Sequence, residues 1–180
     1  MIENERKYVL DIKNEKAYRH EISHMAGAVS YEIKQGYLES NSRIRASTNL
    51  QDGFTDYFFT YKLRVNGKLV EIETRITKAD FDLLWLRVDP IITKVRVKVP
   101  FQNRVWEVDF FKRADEPDCY LIMAEVELPE DMLEPEIVPD FIKEHQLHLV
   151  EINDKRFNNK QLTRPKTVRQ LVKDIKDGKL

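Results

Sequence analysis

Apolar and charged residues alternate along several stretches of the sequence with the period of two that is typical of a β-strand. In residues 91–99 three cations alternate with three valines. Residues 68–76, 104–111 and 120–128 each place two acidic side chains on alternate positions, with apolar side chains between them. Each of these strands is therefore predicted to have one apolar face and one charged face.

The hydrophobic pattern predicts about eight strands and three or four helices. The predicted strands are residues 3–11, 28–39, 41–48, 56–65, 68–76, 91–99, 104–111 and 120–128, with Gly36 interrupting the second. The predicted helices are residues 14–25, 78–87, 140–144 and 165–177. Asn14 and Thr77 are suited to cap the first two helices, and Asn66-Gly67 is a strong hairpin signal. This order predicts an α+β fold, with an eight-stranded antiparallel barrel or strongly curved sheet and helices packed on its outside.

The charged faces are expected to point into the barrel. One face of a closed barrel must turn inward, and the helices carry apolar stripes, such as Phe81, Leu84 and Trp85, that can cover the other face. For any single strand the alternative is a half-solvated sheet with cross-strand ion pairs. We favour a charged lumen because the pattern recurs in strand after strand.

A lumen that carries both signs of charge fits a ligand that needs both. Arginine and lysine bind phosphate oxygens, and arginine does so with two parallel hydrogen bonds. Carboxylates bind Mg²⁺ or Mn²⁺, which are hard ions that prefer oxygen ligands. The pattern therefore predicts a site for a polyphosphate bound together with a divalent metal.

Composition narrows the class of protein. A length of 180 residues fits one domain, and the formal net charge of −1 argues against a nucleic-acid or anionic-membrane surface. Cys119 is the only cysteine, which excludes a disulfide framework and a multi-cysteine metal site. The sequence shows neither a membrane-span pattern nor a secretory signal, so a cytoplasmic location is expected.

Histidines do not join the charged pattern. The four are His20, His24, His145 and His148. We interpret all of them as surface or packing residues rather than catalytic groups.

An ordered set of motifs resembles one known family. It begins with Glu3-x-Glu5-x-Lys7 and ends with Asp154-Lys155-Arg156-Phe157-x-Asn159. Between them come Gln35-Gly36-Tyr37-Leu38, Arg43-x-Arg45, Tyr57-Phe58-Phe59-Thr60-Tyr61-Lys62, Glu71-x-Glu73, Thr93-Lys94-x-Arg96, Trp106-Glu107-Val108-Asp109 and Ala124-Glu125-Val126-Glu127. This set resembles the CYTH superfamily, the triphosphate tunnel metalloenzymes, and most of all its short bacterial inorganic triphosphatases. The likeness covers residues 1–162, which leaves 163–180 as a C-terminal helical extension.

The resemblance implies a tunnel-shaped barrel and a role for each matching residue. The implied catalytic residues are Lys7, Tyr37, Lys94 and Glu5. The residues expected to bind the phosphates are Lys7, Arg43, Arg45, Lys62, Arg64, Arg75, Lys94, Arg96 and Arg156. The expected ligands for Mg²⁺ or Mn²⁺ are Glu3, Glu5, Glu71, Glu73, Asp109, Glu125 and Glu127. Of these, Glu71, Glu73 and Asp109 would either bind a second metal or tune the basic groups.

The resulting hypothesis is metal-dependent hydrolysis of a triphosphate, most simply inorganic tripolyphosphate to pyrophosphate and phosphate. A class-IV-type adenylate cyclase and a thiamine triphosphatase are the enzymatic alternatives, although the sequence shows no apolar and hydrogen-bonding set for a base or thiazole. A non-catalytic binder of polyphosphate or nucleotide is the alternative of another class. The expected partner is a small-molecule triphosphate, with neither nucleic acid nor membrane, and the chain is expected to be a monomer or homodimer. Either a second ion or a carboxylate such as Glu5 or Glu127 would activate the attacking water.

Overall fold

One antiparallel sheet organises the molecule. The computed structural model describes residues 4–39, 41–65, 68–113, 115–116, 118–152 and 154–180, without the side chains at 64, 65, 68 and 69. The strands are β1 (Glu5–Leu10), β2 (Val29–Tyr37), β3 (Ser42–Asn49), β4 (Thr55–Val65), β5 (Lys68–Arg75), β6 (Ile91–Phe101), β7 (Arg104–Lys112), β8 (Leu121–Glu127) and β9 (Gln146–Leu149). The helices are α1 (Glu15–Ser23), α2 (Lys78–Trp85), α3 (Asp140–Lys143) and α4 (Pro165–Lys176), with 3₁₀ turns at Lys155–Phe157 and Gln161–Thr163. The predicted α+β class with an antiparallel sheet is confirmed.

The strand order is β5-β4-β3-β2-β6-β7-β8-β1-β9. The sheet thus has nine strands rather than about eight, because β9 adds to the outer edge of β1 through Tyr8↔Leu149 and Val9↔His148. Within the described residues no ladder joins β5 to β9, so hydrogen bonds do not close the sheet into a ring.

The sheet is nevertheless strongly curved. Strands β1 and β4 stand six places apart in the strand order, which would separate them by about 29 Å in a flat sheet with strands about 4.8 Å apart. Lys7 on β1 and Lys62 on β4 nevertheless line one and the same cavity. The curvature therefore brings distant strands together around a concave, charged face.

The predicted helix starts are confirmed by their hydrogen bonds. The Asn14 side chain accepts a hydrogen bond from the backbone N–H of Ala17 at 3.1 Å, and Thr77 accepts one from Asp80 at 3.1 Å. Each side chain satisfies a backbone donor that has no partner within the helix. The hairpin turn predicted at Asn66-Gly67 lies outside the described residues.

Helices α1 and α2 cover the convex face, as the apolar stripes predicted. Tyr18 and Ile22 of α1 pack in one apolar cluster with Val97 and Trp106, and the cluster continues into α3. Phe81 of α2 packs in a second cluster with residues of β3. The apolar side of each central strand is buried in this way.

Helix α4 packs on the other face of the sheet. Val168 and Ile175 of this helix share an apolar cluster with Val9, Phe111 and other residues of the strands. Phe111 has the same orientation as Lys94, whose ammonium lies 5.0 Å from the centre of the Phe111 ring. The C-terminal helix and the 3₁₀ turns before it therefore cover the apolar part of the concave face, beside its charged part.

Gly36 lies within β2 and does not interrupt it, contrary to the sequence prediction. A Cβ atom at this position would lie 2.6 Å from the Val88 side chain, which is closer than side chains approach. The glycine therefore serves close packing of the segment after α2 against β2.

Candidate functional site

Charged and polar side chains of six strands meet at a cavity of about 720 Å³ on the concave side of the sheet. Strands β1, β2, β3, β4, β6 and β8 each contribute at least one polar side chain to its lining. Seven of the lining residues are cationic and two are acidic, a surplus of five positive charges. The cations are Lys7, Arg43, Arg45, Lys62, Lys94, Arg96 and Lys160, and the acids are Glu5 and Glu125. Such a lining attracts an anion that carries several charges.

Lys7 lies between two carboxylates at one wall of the cavity. Its ammonium is 3.0 Å from a carboxylate oxygen of Glu5 and 3.1 Å from one of Glu125, its ladder partner on β8. Burial alone would lower the pKa of Lys7, but the attraction of Glu125 and Glu5 and their hydrogen bonds raise the pKa above its ordinary value. Lys7 therefore stays protonated and holds the two carboxylates close to one another.

Asp109 is the centre of a buried ion cluster in the adjacent wall. It accepts hydrogen bonds from Lys94 at 2.5 Å and from two nitrogens of Arg96 at 2.6 Å each. Arg96 also pairs with Glu107 and, at 3.2 Å, with Glu125. The Asp109 carboxylate has no solvent exposure, whereas Arg96 retains an edge on the cavity.

The pKa values within this cluster follow from burial and close charges. Burial would raise the pKa of Asp109, but Arg96 and then Lys94 lower it to about 2. Burial and the nearby Arg96 lower the pKa of Lys94 below its ordinary value, although Asp109 partly opposes that shift. Burial would raise the pKa of Glu125, but Lys7, Arg96 and Lys94 together outweigh it and the pKa falls. Asp109 and Glu125 therefore remain ionised at neutral pH. Lys94, in contrast, loses its proton more readily than an ordinary lysine.

A second group of ion pairs joins β3, β4 and β5. Arg43 pairs with Glu71 at 3.2 Å, and Arg45 pairs with Glu73 at 3.0 Å. Lys62 pairs with the other oxygen of Glu71 at 2.9 Å. The cations of β3 and β4 therefore face the cavity, while the carboxylates of β5 compensate them from the edge strand.

Tyr37 lies in the cavity lining beside Arg43 in the β2–β3 ladder. Its hydroxyl accepts a hydrogen bond from the Gln35 amide at 2.8 Å. Burial raises the pKa of Tyr37 to about 12, although Arg43, Gln35 and Lys7 act in the opposite direction. The phenol thus keeps its proton at neutral pH and can donate it in a hydrogen bond to an anion.

Several lining residues were not found from the sequence. Asn158, Asn159 and Lys160 line the cavity from the C-terminal part of the chain, and Asn159 accepts a hydrogen bond from Lys94 at 3.5 Å. Leu38 and Leu63 add apolar surface to the same cavity, together with the polar residues Asn41 and Ser42. Leu38 and Asn159 belong to motifs noted in the sequence, but no role at the site was predicted for them. The other positions carry no local signal, because only the folded chain brings them to the charged face.

Other predicted residues are not brought to the cavity lining. Arg75 is mostly exposed and pairs with Asp56, and Arg156 pairs with Asp154 within its own 3₁₀ turn. Glu127 is exposed at the end of β8, opposite Glu5 in the ladder. Glu3 and the side chain of Arg64 lie outside the described residues. The four histidines are absent from the lining.

Of the seven carboxylates predicted to bind metal, the six that the structure describes lie in separate places. Glu5 and Glu125 meet at Lys7, Asp109 is enclosed by Lys94 and Arg96, and Glu71 and Glu73 lie on the edge strand. In the part of the chain that the structure describes, no three histidine, cysteine, aspartate or glutamate side chains converge on one ion. Mg²⁺ typically binds through one or two carboxylates plus water and substrate phosphates. Glu5 and Glu125 fit that mode, whereas the described residues do not fit a metal cage made of protein ligands alone.

Comparisons with known proteins assign no family. No protein-family model matches the sequence, and no curated protein matches it. The PH1012 protein of Pyrococcus horikoshii is similar in structure, with 15% identity and a TM-score of 0.46 over 73% of this chain and 81% of that one. A putative adenylate cyclase from Bacillus halodurans has 14% identity and a TM-score of 0.42, over 72% of this chain and 82% of the other.

A chain in the structure of the Schizosaccharomyces pombe Mediator head module also aligns, with 9% identity and a TM-score of 0.46. That alignment covers 99% of this chain and 96% of the Mediator chain. These likenesses are too weak to assign a function to this protein.

Among the described residues, none of the helices has the length and apolar character needed to cross a bilayer.

Proposed function

We propose that the protein hydrolyses a triphosphate with the help of a divalent metal, with inorganic tripolyphosphate as the simplest substrate. The observation that carries this proposal is the convergence of cations from four strands on one cavity that also holds Glu5 and Glu125. A non-catalytic phosphate binder needs the cations alone. The carboxylate pair at the cavity wall supports a catalytic role, because it gives the metal of such a reaction a place to bind.

The cationic walls would stabilise the charge of the reacting phosphates. Arg43 and Arg45 extend guanidinium groups into the cavity from one wall, and Arg96 does so from another. Negative charge in phosphoryl transfer is spread over the transferred group and the leaving group, so fixed cations around both lower the barrier. These cations are already held by carboxylates, so little reorganisation would be needed when the substrate binds.

Tyr37 and Lys94 are the proposed proton donors. The raised pKa of Tyr37 supports its role as a hydrogen-bond donor to a phosphate oxygen and not as a base. The lowered pKa of Lys94 supports transfer of its proton to the leaving phosphate, since a donor is most effective when its pKa approaches the working pH. Lys7 remains charged and would neutralise the phosphate oxygens next to the carboxylate pair.

Glu5 and Glu125 would hold Mg²⁺ or Mn²⁺, and a bound ion would polarise the oxygens of the phosphate chain. We assign Glu5 as the base that accepts the proton of the attacking water. Its side chain is 34% exposed, compared with 7% for Glu125, and with the described residues it makes one ion pair where Glu125 makes two. Greater access to water and fewer competing cations support this assignment.

A triphosphate with an organic group is the second candidate substrate. Leu38 and Leu63 lie next to Asn41 and Ser42 in the cavity lining. Such a mixed set can accept a ring with hydrogen-bonding edges, which an inorganic chain does not need. This observation keeps adenylate cyclase and thiamine triphosphatase activities as alternatives.

A phosphate-release assay with tripolyphosphate, ATP and thiamine triphosphate tests these proposals, with Mg²⁺, Mn²⁺ or a chelator present. Metal-dependent release from tripolyphosphate supports the first candidate, and faster turnover of ATP or thiamine triphosphate supports the second. Thermal stabilisation by tripolyphosphate without any release would identify a non-catalytic binder. If tripolyphosphate produces no thermal stabilisation and no phosphate release, the proposed function is wrong.

A further inference from the structure

The turn Asn158–Lys160 is the part of the cavity lining that does not belong to the sheet. It connects the two 3₁₀ turns and is anchored on both sides, because Phe157 is 1% exposed and Leu162 is fully buried in the apolar cluster of α4. The Asn158 side chain also accepts a hydrogen bond from the Gln161 backbone at 2.9 Å. These anchors fix the position of the turn against the charged face of the sheet.

Lys160 differs from the other six cations of the cavity in its charge environment. Each of the six pairs with at least one carboxylate at 4 Å or less. Within the described chain, Lys160 alone among the lining cations has no carboxylate partner. It is also exposed, so its ammonium is hydrated and free to move toward an incoming anion.

This difference has a consequence for the anion that the cavity accepts. The paired cations of the sheet are partly neutralised before a ligand arrives, and the carboxylates oppose each added negative charge. An ammonium without a carboxylate partner brings its full charge. It therefore contributes most when the ligand carries more charge than the sheet cations compensate, as a longer phosphate chain does.

We propose that Lys160 is a substrate-binding residue that favours a triphosphate over a diphosphate. It does so by contacting the additional phosphoryl group from the C-terminal side of the cavity. This inference rests on the proposed function, since it concerns the same cavity. It assigns to the C-terminal segment a direct part in substrate choice, beyond its packing on the sheet.

Calorimetric binding of tripolyphosphate and of pyrophosphate to the full chain tests the inference. Lys160→Ala is expected to weaken tripolyphosphate binding about tenfold, which corresponds to the loss of one hydrogen bond to a charged group. Pyrophosphate binding should weaken less than about twofold. Lys160→Arg should retain most of the preference. In the hydrolysis assay the KM of Lys160→Ala should rise while kcat stays close to that of the wild type.

Lys155→Ala is the matched control, because Lys155 is an exposed lysine of the same segment that does not line the cavity. If the wild type binds tripolyphosphate and Lys160→Ala binds it equally well, the inference is wrong and the proposed function stands. Equal weakening for both phosphates would overturn the preference for chain length. If the wild type binds neither phosphate, the proposed function itself fails.

Discussion

Removal of the Asp109 carboxylate tests whether the buried cations form a ligand site. Asp109 compensates Lys94 and Arg96 at distances of 2.5 and 2.6 Å, and neither Asp109 nor Lys94 is more than 3% exposed. Asp109→Ala therefore leaves two cations close together with little access to water. The remaining carboxylates, Glu107 and Glu125, contact Arg96 but make no ion pair with Lys94.

The expected loss of stability is large. Breaking a buried ion pair by removing one partner costs roughly 3–5 kcal/mol in the free energy of unfolding. For a domain of this size, that loss corresponds to a decrease in Tm of about 6–20 °C. Asp109→Asn should lose less, because the amide oxygen can still accept a hydrogen bond from Lys94.

Tripolyphosphate should reverse part of this loss. A bound anion supplies to Lys94 and Arg96 the negative charge that Asp109 no longer provides. Thermal denaturation followed by circular dichroism, with and without tripolyphosphate, measures both effects. We expect the gain in Tm on addition of the anion to be larger for Asp109→Ala than for the wild type.

Asp115→Ala provides the control, since Asp115 pairs with Arg113 on the surface and both side chains are well exposed. An exposed pair contributes little, so the Tm of this variant should stay close to that of the wild type. If Asp109→Ala is no less stable than Asp115→Ala, the cluster does not carry the stability that we assign to it. If tripolyphosphate stabilises Asp109→Ala no more than the wild type, the anion does not bind at this cluster.

Three further predictions concern the same face of the molecule. Lys7→Ala and Glu5→Ala should each reduce kcat for tripolyphosphate by about a hundredfold or more with an unchanged circular dichroism spectrum, and full turnover in either would remove its assigned role. The pKa of Asp109 is lowered to about 2 from 3.8, so ionised Asp109 should contribute about 2 kcal/mol to the free energy of unfolding above pH 4, and this contribution should be lost as the pH falls toward 2. Urea denaturation at a series of pH values should show this loss in the wild type but not in Asp109→Asn. Gly36→Ala should cost about 1–3 kcal/mol because its Cβ meets Val88 at 2.6 Å, and the double variant with Val88→Ala should cost less than the sum of the single changes.

Alternation along the strands predicted most of the charged face. Lys94 and Arg96 lie on the charged face of one strand and Asp109 lies on the charged face of the next, and the ladder register pairs Arg96 with Asp109. The pattern therefore predicted which side chains share a face before the order of the strands was known. It could not predict which pairs would be buried, because that depends on the curvature of the whole sheet.

The C-terminal part of the cavity could not be predicted in the same way. Phe157 and Leu162 are isolated apolar residues in a polar stretch, and the period of α4 shows only that one side of the helix is apolar. An amphipathic stripe does not specify the surface on which it packs. The convex face was the expected partner, but the concave face also has apolar residues, and α4 covers these.

The arrangement of ion pairs explains how such a charged face can exist without a ligand and still bind one. Desolvating a charge is costly, so a concave face with cations alone would destabilise the fold. Carboxylates on nearby strands, such as Glu71 on β5 paired with Arg43 on β3, offset part of that cost while the guanidinium groups keep an edge on the cavity. A phosphate chain then competes with the carboxylates for the same cations. The displaced carboxylates become available to bind a metal ion. Binding of the anion and binding of a metal at Glu5 and Glu125 should therefore favour each other, because each removes the charge that opposes the other.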